Sequence, residues 1–250
     1  MDFTIPVQEH GPYDLPGLVV GIDAPATMIG CDASVTVPVE EGGHGGHLGG
    51  YAVWATVAGD GRAQYGWYEA IATINDIAEL NAIRHALSRY PCGADAPAEI
   101  TVITDSYAAG ALAVRLSRGE PYDQCVKRPN LYSPLLDAAR QEGTSRRFRV
   151  DCQPGDNGPH LSGNRLAATA HRVAWGVCRL LADGIPLDDA AHSFLLALAN
   201  MSLGKKGWYR FVYWAWRETR EPGSQLGPDT SKCRRGQVEK FMPRFSSPSE

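Results

Sequence analysis

The 250-residue chain reads as an α/β protein: three antiparallel strands, then strands alternating with helices, then a helical extension at the carboxyl end. Three observations predict this. Short apolar stretches with strand character recur between 28 and 71, separated by glycine-rich turns. A stretch with apolar residues at helical spacing follows, carrying Leu80, Ile83 and Leu87. Ile100, Val102 and Ile103 then give a strand that runs directly into the small-residue helical stretch opened by Ser106.

The elements are justified in chain order. The first 27 residues, with Pro6, Pro12, Pro16 and Pro25, predict an extended arm. Met28 to Val37 predicts a strand with Asp32, Ser34 and Thr36 on one face and Cys31, Ala33, Val35 and Val37 on the other. Residues 42–50 hold His44 and His47 among glycines, which suits a long hairpin loop and leaves the imidazoles too mobile for a preformed metal site. Gly50 to Val57 and Ala63 to Ile71 supply the next two strands, joined by the turn at Gly59-Asp60-Gly61.

Glu79 lies on the following helix and borders its buried stripe. Asp105 stands where the fourth strand ends, the place where ligands gather in α/β sheets, although Asp and Ser are also natural helix N-caps there. Leu166, Ala170, Val173, Val177 and Leu180 mark a later helix that stops at Asp183-Gly184. Pro186, Asp188 and Asp189 suit a new helix start, with Leu187, Ala191, Phe194, Leu195 and Leu198 on its apolar face. The run from Lys205 to Arg217 is aromatic and basic together. It can stack bases and pair phosphates, or pack its rings on the domain, and the second reading is favoured. From Glu218 onward Pro, Gly, Ser and charge predict a disordered tail. The expected organisation is therefore an arm over 1–27, a domain over 28–183, an extension over 184–217 and a tail over 218–250.

Three acids, Asp32, Glu79 and Asp105, fall in the apolar setting of these elements. Charges are rarely placed there without a partner, and the commonest partner for converging carboxylates is a divalent cation. Each acid alone also suits a bland role: a half-exposed strand residue, a solvated helix glutamate, a cap. Their order and framing resemble the ribonuclease H family. The resemblance runs from about Met28 to Ala174 and includes Thr73-Ile74-Asn75 upstream of Glu79-Leu80, the Thr104-Asp105-Ser106 strand end, and Gly163-Asn164-Arg165-Leu166-Ala167-Ala168.

That resemblance implies a mixed sheet with helices on both faces and a nuclease that cuts the RNA strand of RNA/DNA hybrids. It implies two Mg2+ ions roughly 4 Å apart, with Mn2+ as a substitute. Asp32 would bridge both ions, while Glu79 and Asp105 would hold the second. Asn75 matches a position that contacts the hybrid backbone, and Ser34, Ser106 and Asn164 join it as expected substrate contacts. The 2′-hydroxyl is the group that separates RNA from DNA along a uniform backbone.

Two departures stand beside the matches. The family's fourth acid falls at Ala168, so the ion that activates water would lose a ligand. His171, three residues on and on the same helical face, is a candidate replacement that would favour manganese. The loop from Gln153 to His160 resembles the family's mobile histidine loop, with His160 as the expected proton shuttle and Asp156 as an alternative acid. His160 precedes Asn164 by four residues, closer than the family's spacing.

Composition bounds these expectations. With 44% hydrophobic residues the chain can bury a proper core. No stretch approaches the roughly 20 apolar residues of a membrane span, and the amino terminus lacks the pattern of a secretory signal. Six cysteines without Cys-x-x-Cys spacing suit reduced thiols, and a cytoplasmic location is expected. Charge resists a nucleic-acid partner. Residues 1–203 hold 14 Lys and Arg against 23 Asp and Glu, and only residues 204–250, with 10 against 5, are basic. The competing expectation is a domain of the same fold that has lost cleavage and binds nucleic acid or a protein.

Overall fold

The computed structural model describes residues 8–18, 24–36, 50–69, 75–124, 126, 132–153, 165–201 and 208–220. Within them six strands form one mixed sheet: β1 (Glu9–Leu15), β2 (Met28–Thr36), β3 (Tyr51–Ala58), β4 (Ala63–Glu69), β5 (Ile100–Thr104) and β6 (Phe148–Cys152). Their order across the sheet is β1-β4-β3-β2-β5-β6. The first four pair antiparallel, whereas β2–β5 and β5–β6 pair parallel. The helices are α1 (Asn75–Ser88), α2 (Tyr107–Ser117), α3 (Ser133–Thr144), α4 (Arg165–Ala182), α5 (Asp189–Ala199) and α6 (Trp208–Arg220). This is an α/β fold consistent with a ribonuclease H-like arrangement.

Alternation along the strands splits the core into two layers. Ile29, Cys31, Ala52 and Trp54 join Ile77, Leu80 and Ile83 of α1 and Leu112 and Leu136 of α2 and α3 on one face. Val53, Ala55, Val57 and Tyr65 join Leu166, Val173 and Val177 of α4 on the other. Phe194, Leu195 and Leu198 of α5 and Tyr213 and Trp216 of α6 enter that second layer too. The extension predicted for 184–217 thus shares the core of the sheet, and its last helix runs on to Arg220. Asp188 caps α5, its carboxylate accepting from the Ala191 N–H at 2.8 Å.

The N-terminal arm needs correction. Glu9–Leu15, expected to lie outside the domain, forms the edge strand of the sheet against β4. A bulge between His10 and Tyr13 and the largely exposed side chains hide its strand character from any alternation test. Proline and a bulge are tolerated because an edge strand has one unpaired side.

Candidate metal centre

Strand register brings the first two acids together. The last parallel pair between β2 and β5 is Gly30 with Ile103. Asp32 and Asp105 each lie two residues further on, Asp32 midway along β2 and Asp105 just past the end of β5. Glu79 arrives from α1, where Leu80 and Ile83 are buried in the core and fix the helix against the sheet. Its Oε2 accepts the Ala33 N–H at 3.1 Å, at a level of β2 that β5 does not reach. One carboxylate oxygen from each of Asp32, Glu79 and Asp105 then lies within 4.8 Å of the others. Asp32 and Glu79 are buried, and Asp105 opens the cluster to solvent.

Electrostatics follow from this crowding. Burial, and next the charges of Asp32 and Asp105, push the Glu79 carboxyl well above its ordinary range, and the Ala33 N–H only partly opposes them. Desolvation and then Asp32 raise the Asp105 carboxyl to about 6, against a lowering contribution from His171. Burial and the same three acids push the Cys31 thiol up as well. A site that makes carboxylates this costly to ionise gains from a cation, and its oxygen donors match a hard divalent one. The acidic cluster therefore fits a metal ion.

His171 on α4 completes the surroundings, its Nδ1 hydrogen-bonding to Asp32 Oδ2 at 3.1 Å. The contact depends on how closely α4 lies on β2. A Cβ at Gly30 would come within 2.2 Å of the backbone at Leu166 and Ala167, so only glycine admits this approach. Gly30 was not singled out from the sequence, although a glycine inside an apolar strand is the signal for a close backbone neighbour. Ala168 is buried and offers no donor atom at the expected fourth-acid position.

The remaining expected site residues separate into three groups. Asn75 is the first residue of α1 and is exposed, one turn before Glu79. Ser106 caps α2, its Oγ accepting the Ala109 N–H at 3.2 Å, while Ser34 lies beside the Cys178 thiol on α4. His160, Asn164 and Asp156 lie outside the described residues, as do His44 and His47, Lys205 and Lys206, and the tail beyond Arg220. The aromatic run resolves toward packing, for Tyr213 and Trp216 are buried in the core. No helix among the described residues is long and apolar enough to cross a membrane.

No family model matches the chain, and neither does any curated protein. Among solved structures it is similar to the protease–reverse transcriptase of prototype foamy virus. The likeness has 15% identity and a TM-score of 0.36, and it covers 62% of this chain and 22% of that one. What the acidic cluster can do follows from its own residues: it can hold a metal ion.

Proposed function

We propose that the protein is a metal-dependent endonuclease that hydrolyses the RNA strand of RNA/DNA hybrids, with Mg2+ or Mn2+ held by Asp32, Glu79 and Asp105. The observation that carries this reading is the convergence of three carboxylate oxygens, from a strand, a helix and a strand end, within 4.8 Å. Like charges brought together under burial raise the energy of the fold, and a bound cation offsets that cost. When bound, such an ion supplies a Lewis acid for a phosphate oxygen and a nucleophile from water near neutral pH.

The chain's own residues would divide the remaining work. Asp32, on the central strand, and Glu79, tied to the Ala33 N–H, are held rigidly and fix the position of the charge. Asp105 faces solvent, the side from which a phosphate backbone can approach. Asn75, exposed one turn before Glu79, is placed to hydrogen-bond that backbone or its 2′-hydroxyl. His160 would carry a proton between the site and solvent on its imidazole. Ser34, Ser106 and Asn164 are the further substrate contacts of this proposal, with the Ser106 hydroxyl also capping α2.

The test is an incubation of the full chain with labelled RNA/DNA hybrid, double-stranded DNA and single-stranded RNA, each with Mg2+ or Mn2+. Internal cuts in the hybrid's RNA that vanish in Asp32→Asn are expected. A second reading, a module that binds without cutting, is favoured by one observation, the apolar and buried Ala168. Retention of the hybrid with no cleavage under either ion would establish that reading instead, and cuts in DNA would point to a different nuclease.

A further inference from the structure

Resting on the reading of Asp32, Glu79 and Asp105 as a cation site, we propose that His171 is an additional ligand, making this a mixed oxygen and nitrogen centre that prefers Mn2+ to Mg2+.

Geometry carries the proposal. His171 Nδ1 and Asp32 Oδ2 are 3.1 Å apart, and the two side chains belong to elements locked together at Gly30. That separation is a hydrogen bond between the side chains. It is equally the edge of a coordination octahedron, since adjacent donors about 2.1 Å from one ion lie ~3.0 Å apart. The donors that lie within 4.8 Å of one another are those of Asp32, Glu79 and Asp105, and His171 meets this group through Asp32, so it would close on a shared ion by a rotation of its side chain. His171 also follows Ala168 by three residues, a rise of about 4.5 Å along α4, so it approaches the cluster from the same helix one turn later.

The surroundings favour a ligand over an incidental neighbour. The Asp32 side chain is 4% exposed and that of His171 is 29% exposed, so the imidazole is the more solvent-exposed partner of this contact. An all-oxygen centre suits Mg2+, a hard ion that accepts imidazole poorly. Replacing one oxygen donor by imidazole nitrogen moves the preference along the divalent series toward Mn2+ and its successors.

The experiment uses the full chain with Mn2+ alone, read by pulsed electron paramagnetic resonance for coupling to 14N, and titration calorimetry with Mn2+ and Mg2+. The unaltered chain is expected to show directly coordinated nitrogen, and His171→Ala to lose that coupling while keeping its circular dichroism. Mn2+ affinity should fall about tenfold or more in His171→Ala, with Mg2+ affinity changing by less than about threefold. A second variant, His171→Asp, should also lose the nitrogen coupling yet bind Mg2+ more tightly than His171→Ala. Mn2+ bound without nitrogen coupling, or coupling that persists in both variants, would overturn the proposal and leave the acidic site standing. Failure of the unaltered chain to take up either ion would overturn both this proposal and the cation site beneath it.

Discussion

Gly30 decides more about the centre than its lack of a side chain suggests. Its missing Cβ lets the first turn of α4 rest on β2, and the same contact sets His171 opposite Asp32. Gly30→Ala should therefore act twice. Forcing a methyl into a space 2.2 Å from backbone atoms that cannot rotate away should cost about 1–3 kcal/mol or more, read by urea denaturation. It should also move His171 from Asp32, read as weaker Mn2+ uptake in calorimetry. The acids were legible in the sequence because a charge in an apolar frame is conspicuous. His171 was legible only as a possibility, since a histidine on a helix gives no sign of what faces it.

Two elements that the sequence placed loosely turn out to be fastened by specific contacts. The edge strand β1 is tied to α1 through Glu9, whose carboxylate accepts from Arg84 at 2.5 and 2.6 Å, from His85 Nε2 at 2.7 Å and from Asn81 at 2.8 Å. Burial alone would raise the Glu9 carboxyl, but His85, Arg84 and Asn81 outweigh it and hold it at about 2. His85, stacked on Trp54, is pulled below its ordinary value chiefly by burial. The imidazole is thus neutral near pH 7, and Arg84 is the carboxylate's charged partner. Both shifts have the same sign, because below each ordinary value the unfolded chain binds more protons than the folded one. From these two groups stability should fall as pH drops through 6.5 and fall further from 4.5 toward 2, against the opposite contribution of Glu79 and Asp105, whose raised carboxyls lose stability as pH rises, and Glu9→Gln should flatten the acid part of that loss in denaturation series. At the other end, α6 docks by stacking Trp216 on Phe194, with ring centroids 4.4 Å apart. Asp183 adds bonds from Tyr213 and Arg217. Trp216→Ala should cost about 3–5 kcal/mol, measured by chemical denaturation, whereas a helix appended without sharing the core would lose little.

At the scale of the whole molecule, the acidic cluster couples folding to metal. A cation that binds only the folded chain stabilises it by about 2.7 kcal/mol at a concentration one hundred times its dissociation constant. Saturating Mn2+ should accordingly raise the melting temperature by several degrees, and Asp32→Asn should abolish that rise in a thermal melt. The net negative charge over residues 1–203 sets a second whole-molecule condition, for a polyanion meets this chain favourably only where cations or the basic end intervene. The sequence by itself determined the α/β class, the order of β2 to β5 with α1 between them, and which three acids stand apart, because periodicity and misplaced charge are local signals. Only the tertiary structure decided that β1 joins the sheet, that α5 and α6 share its core, and that His171 meets Asp32. Those outcomes depend on strand register and on how closely two backbones approach, quantities set between segments distant in the chain.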